Sequence, residues 1–132
     1  MSAAVHTFKD SSAQTGSNSG SWIALNTATM LSVGVDILTG GSGTITDFDV
    51  WMEGSDVGGS DAGYKMPADL IHEPTPATQV NRLEIVNNET TPTLAERWSA
   101  TYKHWPWKFA RAAWKITGTS PSIPFRVIGC SK

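Results

Sequence analysis

Apolar and polar residues alternate through most of the chain, and no stretch sustains a helical 3.6-residue period. The clearest run is Leu31, Val33, Val35 and Ile37, interleaved with Ser32, Gly34 and Asp36. It predicts a strand within residues 28–38 with one face buried and the other small or polar. Residues 44–53 repeat the pattern. Thr46, Phe48, Val50 and Met52 are expected inside, and Asp47, Asp49, Trp51 and Glu53 outside. Near the end, Ala110, Ala112, Trp114 and Ile116 alternate with Phe109, Arg111, Ala113 and Lys115, and Ile123, Phe125 and Val127 resume after Gly118-Thr119-Ser120-Pro121. This reads as a β-hairpin over 108–129. Pro124 has no amide hydrogen to give a ladder, so the return strand is expected at a sheet edge, or Pro124 at its entry or a bulge.

Weaker strands are expected at 4–8, 21–25, 80–86 and 94–102, the last placing Trp98, Ala100 and Tyr102 on one face. Residues 64–71 fit either a strand or one helical turn. About eight strands at short spacing predict an all-β fold, a single antiparallel β-sandwich with Greek-key or jelly-roll-like connections. Residues 9–20 are polar and rich in Ser and Gly, so residues 1–20 read as a flexible N-terminal arm and 21–132 as the sandwich domain. Two octets resemble each other, Leu38-Thr-Gly-Gly-Ser-Gly-Thr-Ile45 and Ile116-Thr-Gly-Thr-Ser-Pro-Ser-Ile123. They are expected at corresponding turns, although turns converge on Gly, Ser and Thr without duplication.

Length and composition agree with one small β domain. The 132 residues suffice for one core. Charged residues are 17%, Gly numbers 12 and Pro 7, as expected of strands joined by turns. No apolar run reaches the roughly 18 residues of a membrane span. The start, Met-Ser-Ala-Ala-Val-His, lacks the basic-then-apolar pattern of a secretory signal. A single cysteine, Cys130, excludes an internal disulfide and a cysteine zinc cluster, consistent with synthesis in a reducing cytoplasm. Residues 1–81 carry nine acidic side chains and two basic ones, whereas 82–132 carry three acidic and eight basic. Interleaved strands would pair these charges across one surface; separate faces would favour self-association.

Catalytic and cofactor patterns are not found. His6, His72 and His104 lack metal-ligand spacing. No Gly-x-Ser-x-Gly elbow is present, and the Gly-rich turn 39–43 lacks the Lys-Ser/Thr of a phosphate loop. The chain is therefore read as no enzyme, without catalytic, cofactor or metal residues. Asp47, Asp49, Glu53, Asp56 and Asp61 offer hard oxygens for calcium, but in no EF-hand order, and a solvated loop explains them as well.

Six tryptophans stand out. Trp98 and Trp114 fall on inward faces. Trp51 falls outward, and Trp105 and Trp107 flank Pro106 in a loop that either exposes them or folds back over the core. Exposed indoles suit a protein interface or stacking on sugar rings. The candidate interface comprises Val5 and Phe8 of the arm, Trp22, Trp51, Trp105 and Trp107, with Arg111 and Lys115 on the basic outer face. A net charge of −2 with no wider basic surface argues against nucleic acid as a partner.

The run Arg111-Ala-Ala-Trp-Lys-Ile-Thr-Gly-Thr-Ser-Pro-Ser-Ile-Pro-Phe-Arg-Val127 resembles a C-terminal signature of small β-sandwich virion proteins of tailed bacteriophages and prophages. Residues 31–50 resemble their earlier hairpin. The chain departs from that pattern at Ala112, where a larger β-branched residue is common, and in its Trp-rich approach to the hairpin. The resemblance implies a non-enzymatic virion component, first a capsid decoration (cement) protein, with the major capsid protein or another virion protein as partner. It implies a homo-oligomer, trimeric by resemblance alone, made in the host cytoplasm and located on the virion. A neck, tail or fibre component, or a carbohydrate-binding module using Trp51, Trp105 and Trp107, is the alternative.

Overall fold

A computed structural model describes residues 3–67, 69–72 (backbone), 84–86, 89–92 and 96–132. Those residues form an all-β fold with ten strands. The strands are β1 (Ala4–Lys9), β2 (Ala13–Gln14), β3 (Asn18–Ser19), β4 (Ile23–Ala24), β5 (Leu31–Ile37), β6 (Ser42–Ser55), β7 (Tyr64–Lys65), β8 (Asp69–His72), β9 (Arg97–Tyr102) and β10 (Phe109–Ser131). Most of the expected strand at 80–86 lies outside the described residues; Val86 bridges Val50.

The architecture turns on β10. Its first half pairs antiparallel with β6, from Phe109↔Ser55 to Ser122↔Ser42, while its second half pairs with β5, from Phe125↔Ile37 to Ser131↔Leu31. The halves do not pair with each other. The expected hairpin is therefore corrected: β10 is an arch that leaves one layer and enters the facing one. The same holds for β5 and β6, whose partners are β9 and β10, and β10 and β7. The result is one antiparallel sheet curled into two layers, a β-sandwich-like arrangement. One layer runs β1–β10–β5–β9–β8 and the other β7–β6–β10 with β3 and β4 beyond.

The two similar octets are the tips of these arches, and they lie side by side. Gly118 pairs with Ile45, and Thr119 with Thr44. Two glycines permit this approach. Gly118 (φ 151°) and Gly43 (φ 75°) occupy backbone regions that L side chains rarely adopt, and a Cβ on either would strike a carbonyl of the other arch.

Inward residues follow the sequence pattern with one shift. Thr117 faces Asp47 but Gly118 faces Ile45, so Thr46 is an extra, bulged residue. Ile45 takes the inward place expected of Thr46, which is exposed and meets Thr117 Oγ1 at 3.0 Å. The two layers meet through Phe48 on Phe125 (ring centroids 5.0 Å) and Trp114 on Phe125 (5.5 Å), both edge-on. Leu31, Val33, Val35, Trp98, Tyr102 and Ile123 complete the centre of the core.

Of the alternatives for the return strand the entry holds: β1 and β2 flank the second half of β10 opposite β5, and Pro124 stands at its entry, beside Ala13. The segment expected as a flexible arm lies along β10 through β1, β2 and β3. Within β1 the register slips between Thr7 and Lys9, and the bulged Phe8 turns inward, 3% exposed.

Candidate functional site

The outer face of β6 and the first half of β10 gathers most of the polar residues singled out from sequence. Alternation points Trp51 and Glu53 outward on β6, and Arg111 and Lys115 outward on β10. Pairing puts Arg111 opposite Glu53, and Glu53 opposite Lys65 of β7. From this register a continuous chain of contacts follows. The Arg111 guanidinium lies over the Trp22 ring at 4.2 Å, donates from Nε to Glu53 Oε1 at 2.8 Å and from Nη2 to the Ala62 carbonyl at 2.9 Å. Glu53 Oε2 accepts from Trp51 Nε1 at 3.0 Å. The Lys65 ammonium sits over the Trp51 ring at 4.3 Å and donates to Glu84 Oε1 at 2.7 Å. At the far end Lys115 pairs with Asp47 at 3.0 Å, which holds the lysine above its ordinary value.

This array makes Trp22 and Trp51 half-buried rather than free. One ring face of each already meets a cation. Neither is an open stacking platform. An open ring occurs instead at Tyr64, which is 61% exposed and stacks on Trp107 with centroids 4.8 Å apart and planes 10° from parallel. Trp107 lies against Gly54, which leaves room for the indole by having no Cβ, and donates to Met66 Sδ at 3.0 Å.

The remaining candidates separate. Val5 is 82% exposed on β1, in the facing layer. Phe8 and Trp105 are corrections: both are buried in the core. Trp105 packs edge-on against Tyr102, centroids 5.1 Å apart, and its amide donates to the Thr29 carbonyl at 2.7 Å, so the segment around Pro106 folds back over the core. Sequence reading missed Lys65, Glu84 and Tyr64, and took Glu53 for a calcium oxygen rather than the partner of Trp51 and Arg111. The signal for Glu53 was present, two residues from Trp51 on one face; the two-residue β7 carries no periodicity to read.

The acidic loop does not converge on one point. Asp61 accepts from Ser55 Oγ at 2.7 Å and from the Gly63 amide at 3.2 Å, and Asp56 from the Lys108 amide at 3.3 Å, while Asp47 and Glu53 hold Lys115 and Arg111. Among the described residues no three His, Cys, Asp or Glu side chains are grouped to hold a metal.

Ion pairs also resolve the uneven charge. Asp36 with Arg97 and Arg126, Glu53 with Arg111, and Asp47 with Lys115 each join an acid of residues 1–81 to a base of 82–132; Lys65–Glu84 does the reverse. The two sequence halves interleave and pair across the surface.

Fold and face together define an all-β, curled antiparallel protein of β-sandwich-like form with a pre-paired aromatic and ionic surface. No protein-family model matches the chain, and no curated protein matches it. Among solved structures it is similar to the SPBc2 prophage-derived protein YomS, with 14% identity and a TM-score of 0.47 over 98% of this chain and 92% of that one. It is also similar to the CBM22-1–GH10 modules of endo-1,4-beta-D-xylanase 10B from Clostridium thermocellum, complexed with xylohexaose. There the identity is 14% and the TM-score 0.43, over 84% of this chain and 19% of that one. At these values neither likeness bears on what this chain binds.

Proposed function

We propose that the chain is a non-enzymatic structural protein of a bacteriophage virion, a capsid decoration protein that binds the head and neighbouring copies of itself. The observation that carries this reading is the array Trp22–Arg111–Glu53–Trp51–Lys65–Glu84 on the broad outer face of β6 and β10. Trp and Arg are the residue types that dominate protein interfaces, and here each is fixed before a partner arrives, which lowers the entropy cost of docking. The signature at 111–127, shared in pattern with phage virion proteins, supports the same reading. Many copies on a lattice hold by avidity, so no deep pocket is required.

The experiment is co-sedimentation with purified phage heads. Wild type is expected to bind saturably, and Arg111→Ala to bind at least about tenfold more weakly, the loss typical of an interface anchor. Unchanged binding by Arg111→Ala removes this face from the interface; absence of wild-type binding removes the decoration reading.

A second reading, carbohydrate binding, is favoured by Tyr64, whose outer ring face is open while its inner face rests on Trp107. Saturable tryptophan fluorescence changes with soluble glycans, lost in Tyr64→Ala, would support it.

A further inference from the structure

We infer that β1 is an exchangeable plug, and that its seat on the edge of β10 accepts β1 from a second copy of the chain. This rests on the reading of the protein as one that packs against its own copies.

The plug is built as a unit. Lys9 Nζ donates to the carbonyls of Asp10 (2.7 Å), Ser12 (2.6 Å) and Phe125 (2.6 Å). Two of these three acceptors belong to the N-terminal segment, so the turn after β1 keeps most of its structure wherever the segment goes. Ser12 reinforces that turn by donating its amide to Asp10 Oδ1 at 3.0 Å.

The seat is equally specific. Phe8 fills a notch that exists because residue 129 is Gly: a Cβ there would lie 2.6 Å from the Phe8 ring. The third Lys9 acceptor, the Phe125 carbonyl, belongs to β10, and Lys9 lies 4.2 Å over the Phe125 ring. Backbone pairing from Ala4↔Ser131 to Lys9↔Val127 completes the contact. Every one of these contacts is available to the same strand of another copy, which is the condition for exchange.

The connection favours reach over anchorage. Between plug and body lie Ala13-Gln-Thr-Gly-Ser-Asn-Ser-Gly-Ser21, held by two two-residue strands and two further hydrogen bonds, Ile116 amide to Ser17 Oγ and Gly20 amide to the Ala112 carbonyl. It contains no large apolar side chain. Nine such residues span up to about 30 Å when extended, enough to reach an adjacent molecule. In dilute solution the chain's own plug wins by local concentration. On a crowded lattice the neighbour's seat is close enough to compete with it.

Val5 lies directly opposite Cys130, which supplies the test. A size-tagged Val5→Cys, Cys130→Ser chain is unfolded together with wild type, refolded, and oxidised. Non-reducing electrophoresis then reads any mixed disulfide. Exchange predicts a mixed band that rises about tenfold in fraction per tenfold increase in concentration while it is the minor species, and that is lost on Phe8→Gly. If Val5→Cys prevents folding, Thr7→Cys on one chain and Ile128→Cys on the other, both with Cys130→Ser, occupy the directly opposed pair two residues along, on the same face. Absence of the mixed band from chains that fold overturns the inference. Head binding without mixed disulfide leaves the decoration reading standing and removes exchange; mixed disulfide without head binding does the opposite.

Discussion

At the scale of single residues, Phe125 is the contact point of the two layers. It is fully buried, edge-on to both Phe48 and Trp114, and covered by the Lys9 ammonium. Phe125→Ala is expected to cost about 3–5 kcal/mol in chemical denaturation, from lost transfer energy and the cavity left behind. Asp36 gives a pH signature. Burial pushes its carboxyl up, but hydrogen bonds and charge from Arg97 and Arg126 outweigh this and hold it below the ordinary value. Its stabilising contribution is therefore complete above the unfolded carboxylate value of about 3.9 and is lost as pH falls through the lower folded value. Both arginines are substantially solvated, so the contribution is about 1 kcal/mol. Asp36→Asn is expected to lose that amount at pH 7 and to show a shallower acid limb in stability against pH. Individual inward positions such as Val33, Phe48 and Trp114 were legible because alternation decides them. Trp105 was left open: its amide bond to the Thr29 carbonyl lies far away in sequence, and the Trp-Pro-Trp run alone fits an exposed loop as well as one folded back over the core.

At the scale of elements, the alternation at 28–53 and 108–129 revealed strands but not their partners. Gly, Ser, Thr and Pro serve a hairpin and an arch alike, so the sequence between two strands does not say whether they share a layer. The bulge at Thr46 was hidden for a related reason, since it is set by the partner strand's register. The short strands β2 and β3 have two residues each, too few for any period to show. Contact between the arch tips is the place where these elements are most exacting. Gly118→Ala is expected to destabilise by about 1–3 kcal/mol through backbone strain and a clash with the Thr44 carbonyl, read as a lowered denaturation midpoint. By contrast Ser42→Ala, exposed and two pairs further along, is expected to stay within about 0.5 kcal/mol.

At the scale of the whole molecule, one strand organises both layers. β10 takes partners from residues 4–24, 31–37 and 42–55, so its pairing waits for distant parts of the chain to meet. Folding is expected in milliseconds to seconds rather than microseconds, the range of all-β domains with non-local pairing. Stopped-flow tryptophan fluorescence would measure it, since Trp98, Trp105 and Trp114 are all buried.

The arch at β10 also has a mechanical meaning. Backbone hydrogen bonds in antiparallel sheets run across the strands. A pull on the body against either half of β10, directed along that half, loads its ladder in shear, with many bonds resisting together rather than opening one after another. The fold therefore behaves as a rivet with a shank in each plate: tension applied to one layer is carried into the other through Ile123 and Pro124, between the Ser122↔Ser42 and Phe125↔Ile37 pairs.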